Sequence, residues 1–164
     1  MTTTLSSLPT GEDLDTAIAR GRRAHELDRQ HVFHSWSAQA QINPMTVLAA
    51  KGSYLWDGDG NKLLDFSSML VNTNIGHQHP KVVAAIAEQA ATLCTVAPQH
   101  VNDARSEAAR LIAERMPEGI EKVFFTNGGA DANEHAVRMA RLTTGRPKVL
   151  TTYRSYHGGT QTAI

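Results

Sequence analysis

An α/β fold with a mostly parallel sheet is the class the 164-residue chain predicts, on three observations. Two short apolar, β-rich stretches, Lys122–Thr126 (KVFFT) and Lys148–Thr152 (KVLTT), have the composition of strands buried on both faces. Between them Ala132, Ala136, Met139 and Ala140 recur at helical spacing, Glu134 and Arg138 stand as an i,i+4 pair, and Gly145 follows the end. A glycine-bearing loop follows each stretch: Asn127-Gly128-Gly129-Ala130 and Tyr156-His157-Gly158-Gly159. Ligands of open α/β sheets gather at the carboxyl ends of the strands, so both loops are expected to face one site.

Upstream, a Ser/Thr-rich start of about ten residues is expected to be disordered. Thr10, three residues before Asp13, suggests a capping box, and Leu14, Ala17, Ile18 and Gly21 form one face of a helix running towards His31. "GRRAHELDR" within it mixes both charge signs and reads as a solvated face. Tyr54–Trp56 and Lys62–Phe66 flank Asp57-Gly58-Asp59-Gly60-Asn61, where the glycines permit positive φ and Asp and Asn favour turns, which predicts a β-hairpin. Trp56 in it reads as packing. Pro80 suits the first turn of a helix carrying Val83, Ile86, Ala87, Ala90 and Leu93 on one face, with Cys94 as a small core residue. Another helix follows Asn102-Asp103, with Ala104, Ala108, Leu111 and Ile112 on one side.

Lys+Arg and Asp+Glu are both 16, so no basic footprint for nucleic acid is present. One cysteine excludes an intramolecular disulfide framework, and MTTTLSSLPT lacks the basic start and apolar core of a secretory signal. No apolar run approaches the ~20 residues of a membrane span. A cytoplasmic protein without membrane or nucleic-acid partners is expected. His77-Gln78-His79 offers two imidazoles, but no Cys or acidic cluster accompanies them and a turn before Pro80 accounts for the stretch, so no metal site is expected.

The loop 127–130 places backbone N–H groups at a helix N-terminus, where the macrodipole favours an anion such as phosphate. The G-x-G-x-x-G and G-K-[ST] fingerprints of the common nucleotides are absent. Taken alone, Gly128-Gly129 reads first as a tight strand-to-helix turn with no ligand. Asp131 competes for the same dipole, so its side chain must point away if phosphate binds. In the second loop the Tyr156 ring can lie against a flat heteroaromatic group, and a phosphate joined to a planar ring suggests pyridoxal phosphate.

From about His31 to Ile164, through "SYLWDGDGNKLLDFSS", "NIGHQHPKVVAAIAEQ", "KVFFTNGGADANEHAVRMAR" and "YRSYHGGT", the sequence resembles the class III, or omega, aminotransferases. The resemblance implies a fold type I pyridoxal-phosphate transferase, similar in fold to aspartate aminotransferase, here as an incomplete three-layer sandwich. Residues 1–76 would be an N-terminal segment of the small domain and 77–164 the truncated beginning of the cofactor-binding large domain. It also implies that Gly129 and Ala130 hold the cofactor phosphate through their amides, with Gly128 where the family carries Ser or Thr and Asp131 where it carries Glu. Tyr156 is similar to the aromatic that stacks on the pyridine ring and His157 to the polar residue beside it. Trp36 resembles an aromatic near the substrate entrance. Leu70 and Val71 stand where other members often carry aromatics, which would widen that side of the substrate pocket, and "APQHVND" resembles a loop reaching a partner subunit's site.

The implied reaction moves an amino group from an amine or omega-amino acid to a 2-oxo acid such as pyruvate or 2-oxoglutarate, in a ping-pong cycle within a homodimer. The chemistry needs a Schiff-base lysine and a carboxylate at the pyridine nitrogen. In the family both lie beyond the position of Ile164, and none of Lys51, Lys62, Lys81, Lys122 or Lys148 matches the catalytic place. The chain is therefore expected to be an inactive N-terminal part of a longer enzyme, without a catalytic residue of its own. Aminomutases, decarboxylases and lyases share the cofactor cup; a non-catalytic phosphate-binding module and a truncated product pairing with a full-length subunit are the readings outside that chemistry.

Overall fold

The structure, a computed structural model, describes residues 7–163, and the expectation of a disordered start falls largely on residues 1–6, outside the described residues. Two compact units meet in sequence between Thr95 and Val96. The first holds helix α1 (Leu14–His31), strands β1 (Val47–Lys51), β2 (Tyr54–Asp57) and β3 (Lys62–Leu64), a four-residue turn α2 (Ser68–Val71) and helix α3 (Pro80–Thr92). The second holds α4 (Asp103–Ala113) and α5 (Gly129–Thr144).

Helix α1 starts one turn later than a Thr10 cap would have it. Asp13 is the N-cap, its Oδ2 accepting from the Thr16 N–H and hydroxyl, both at 3.0 Å. Those bonds, the Thr16 amide first, hold the Asp13 carboxyl below the usual range. Thr10 instead belongs to a preceding turn closed by Gly11 N–H to Leu8 O at 2.9 Å. The anticipated face is the one that packs: Ala17 and Gly21 are buried, and Leu14 and Ile18 lie against the core of Leu8, Ala17, Leu48 and Trp56. A Cβ on Gly21 would come within 2.5 Å of Leu48 Cδ2, so the bare glycine sets how closely α1 approaches β1.

The hairpin forms as expected, with Tyr54 opposite Leu64 and Trp56 opposite Lys62. Asp57 organises its turn by accepting from the amides of Asp59 and Asn61 and from Asn61 Nδ2. Of the two glycines only Gly60 uses positive φ, at 82°. Strand β1, which its alanine-rich composition conceals, joins β2 antiparallel with an irregularity between Val47 and Ala49. The three-stranded antiparallel sheet β1-β2-β3 is the only one among the described residues.

Lys122–Thr126 and Lys148–Thr152 are not strands. Sheet stability resides in cross-strand pairs, and neither segment has a ladder partner among the described residues, so β-propensity alone leaves both irregular. The helices meant to cover such a sheet are bare in consequence. Neither α3, α4 nor α5 has a buried residue, and Ala132, Ala136, Met139 and Ala140 are all exposed. Cys94, expected in a core, is exposed as well, its thiol donating to Ala90 O. Helix ends follow their sequence signals: Pro80 opens α3, Asn102 Oδ1 caps α4 through Arg105 N–H at 3.0 Å, and Gly145 closes α5 at φ 67°. No helix among the described residues is long and apolar enough to cross a membrane.

Because the core is small, its members should be unequal. Asp13→Ala should cost about 1 kcal/mol by loss of the cap, and Trp56→Ala about 3–5 kcal/mol by loss of the largest core side chain. Urea unfolding followed by far-UV circular dichroism ranks them, and equal costs would contradict a core centred on Trp56.

Candidate cofactor site

In the second unit the first turn of α5 and the loop 157–163 are fastened together. Gly128, the N-cap, is extended at φ −176° and supplies no side-chain bond, leaving the first-turn amides of α5 without a side-chain cap. A Cβ added at Gly128 or Gly129 would meet nothing within 4 Å, so no neighbour crowds either glycine on its side-chain side. Thr126 Oγ donates to Gly128 O at 3.1 Å and steadies the approach to the helix.

The second loop lies on this turn through Gly158, which is buried and has φ 141°. A Cβ there would sit 2.7 Å from Ala130 Cβ, 2.9 Å from Ala130 Cα and 3.0 Å from Ala163 Cβ. Residue 158 must therefore be glycine on two grounds, the backbone conformation and the closeness of α5. Asn133 Nδ2 donates to His157 O at 2.6 Å, and Glu134 Oε1 accepts from Thr162 N–H at 2.7 Å. His157 Nε2 stands 2.7 Å from Thr151 Oγ, which fixes the imidazole on the loop.

The Thr160 side chain and the Thr162 amide bring the Glu134 carboxyl down to about 2. Glu134 therefore does not form the i,i+4 pair expected with Arg138; its carboxylate turns to the loop, where backbone and hydroxyl donors are better placed than a solvated guanidinium. The sequence gives no role to Asn133 or Thr151, and marks Glu134 only as a partner for Arg138. Asn133 and Glu134 stand three and four residues after Ala130, on the helix face that meets whatever packs there.

Gly128, Gly129, Ala130 and His157 are thus assembled in one place, as two loops facing one site requires. Tyr156 lies on the same loop and is exposed. Trp36, Leu70 and Val71 belong to the first unit. Trp36 has φ 57° and is exposed, and Leu70 and Val71 are exposed on α2. An anion, rather than a cation, is what an uncapped helix start fronted by open glycines can receive, and a planar group is what Tyr156 can cover.

A family model described as aminotransferase class-III matches residues 36–164. An acetylornithine aminotransferase of Methanopyrus kandleri is 36% identical over 121 residues, covering 74% of this chain and 31% of its own length. The solved taurine:2-oxoglutarate aminotransferase from Bifidobacterium kashiwanohense, in complex with PLP and glutamate, superposes with TM-score 0.81 at 43% identity, over 87% of this chain and 32% of that one. A phospholyase from Arthrobacter in complex with phosphoethanolamine superposes with TM-score 0.71 at 28% identity, over 86% and 32%. The chain spans about a third of the length of the relatives it matches.

Two outcomes follow from the docked loop. Gly158→Ala should destabilise the second unit by about 1–3 kcal/mol through overpacking against the α5 backbone, read by denaturant titration. Since the Glu134 pKa is lower folded than unfolded, its contribution is complete above the ordinary value of 4.5 and fades as pH falls towards about 2. The protection of the Thr162 amide, the slowing of its exchange relative to that of an unstructured amide at the same pH, should fall over that window in the native protein and stay level in Glu134→Gln.

Proposed function

Since the chain belongs to the class III aminotransferases, of fold type I, we propose that the protein bearing it is a pyridoxal-phosphate-dependent aminotransferase. Its donor would be an amine or omega-amino acid and its acceptor a 2-oxo acid. The observation that carries this reading is the joined pair of loops: an uncapped helix start with open glycines, locked through Gly158 to a loop presenting Tyr156.

The residues present fit the cofactor. Gly129 and Ala130 N–H groups would bind its phosphate, aided by the positive end of the α5 dipole. Gly128 contributes room in place of a hydroxyl. Tyr156 would cover one face of the ring, and His157, held by Thr151, would stand beside it. When bound, pyridoxal phosphate supplies the electron sink that makes the donor's Cα–H acidic. Leu70, Val71 and Trp36 are assigned by the resemblance to the substrate space, with the two aliphatic side chains favouring a broad range of amines. The lysine and the carboxylate that complete this chemistry are assigned outside residues 1–164. We further assign residues 1–76 to the small domain, 77–164 to the opening of the cofactor domain, a homodimer as the working form and the cytoplasm as its place.

The likeness to a phospholyase favours elimination of phosphate from an amino-alcohol phosphate as the second reading. Both are decided on the cofactor-loaded protein at its native length. An aminotransferase loses its visible absorbance on addition of an amine and regains it on addition of 2-oxoglutarate or pyruvate. Release of inorganic phosphate from phosphoethanolamine without any 2-oxo acid would establish the lyase instead, and neither response would leave a binding module.

A further inference from the structure

Ser68, Met69, Leu70 and Val71 have φ between 47° and 64°. Non-glycine residues visit this left-handed region singly, and a run of four persists only where its surroundings over-determine it. Backbone bonds from Val71 N–H to Ser67 O at 2.8 Å and from Asn72 N–H to Ser68 O at 2.7 Å close the turn, and the side chain that constrains it is that of Asp65. Its Oδ1 accepts from Met69 N–H at 3.1 Å and from Ser67 Oγ at 3.2 Å, while Oδ2 lies 2.7 Å from His77 Nε2. Because a carboxylate only accepts, Nε2 carries the proton. The Asp65 and His77 side chains are 3% and 11% exposed, unlike the residues they hold: Leu70 and Val71 are 74% and 78% exposed.

His77 is itself anchored. Its N–H donates to Gly52 O at 2.8 Å and its carbonyl accepts from Gly52 N–H at 3.0 Å, while Asp65 N–H donates to Ser53 O at 2.9 Å. The carboxylate therefore reaches α2 from a base tied at two points to the start of the hairpin. Loss of the Met69 bond would free the turn to relax to negative φ and carry Leu70 and Val71 elsewhere.

We infer that Asp65, steadied by His77, is a positioning residue for donor specificity: it holds α2 left-handed and so sets where Leu70 and Val71 bound the substrate space. This rests on the assignment of Leu70 and Val71 to that space under Proposed function. The test uses the cofactor-loaded protein at native length and compares kcat/KM for hexylamine with that for ethylamine. Asp65→Ala should change the ratio at least fivefold, through KM for hexylamine, with kcat within twofold. Asp65→Asn, which keeps an acceptor for Met69 N–H, should stay near the original ratio. Met69→Gly added to Asp65→Ala should restore it, because glycine enters the left-handed region freely. An unchanged ratio in Asp65→Ala, or a parallel loss of kcat for both amines, would overturn the inference. Should Asp65→Ala not fold, His77→Leu carries the same comparison and must move the ratio in the same direction. Three-bond HN–Hα couplings across residues 68–71 give a readout independent of turnover: positive φ retained in the variant defeats the positioning role even in an active enzyme. Absence of turnover by the unaltered protein with both amines defeats the aminotransferase reading instead, and the couplings then decide the positioning role alone.

Discussion

Residue 158 has no side chain, and the second unit is organised around that fact. Ala130 occupies the place a Cβ would need, so loop and helix approach to backbone distance. The hydrogen bonds of Asn133 and Glu134 then fall within reach of His157 and Thr162. A close backbone approach of this kind converts two separately flexible glycine loops into one surface, where the amides of a helix start and an aromatic ring keep a fixed separation. Preorganisation of that sort limits the ordering entropy a bound anion would otherwise meet.

The first unit solves a different problem with similar means. Its buried core is a handful of residues, and Gly21 lets α1 settle onto β1 where any larger residue would hold the helix off Leu48. Stability gathers between α1 and the sheet, while α2 holds a conformation that costs about 1–2 kcal/mol per non-glycine residue. The Asp65 network offsets that cost from an anchored base, and its carboxyl is held below the usual range by His77 first and then by the Met69 amide. Rigidity and strain are thus adjacent in sequence.

What could be read beforehand was whatever local chemistry decides. Pro80, Asn102, Gly128 and Gly145 mark helix ends because caps act over a few residues. The hairpin declares itself through Asp57 to Asn61 for the same reason. The candidate residues Gly128, Gly129, Ala130 and His157 are found together because two glycine loops bracket one helix. Illegible were the features that depend on partners distant in sequence. KVFFT and KVLTT have strand composition, but a strand is a property of a pair. Glu134 has two possible partners, Arg138 by spacing and Thr162 by tertiary approach, and only packing chooses between them. The left-handed turn at residues 68–71 leaves no mark in "SMLV", since none of these residues prefers it.

The ties that make the cup also have a kinetic side. Asn133 to His157 and Glu134 to Thr162 span 24 and 28 residues, a short loop for a tertiary contact. Closure entropy rises with the logarithm of loop length, so these contacts form early relative to pairings between residues further apart in the chain. On a ribosome adding residues from the N-terminus, the N-terminal end of α5 can be joined to its loop as soon as Ala163 has emerged. The bare stripes of α3 and α5 are sticky apolar surface. The segment can thus shape its cup while still needing protection from aggregation during synthesis.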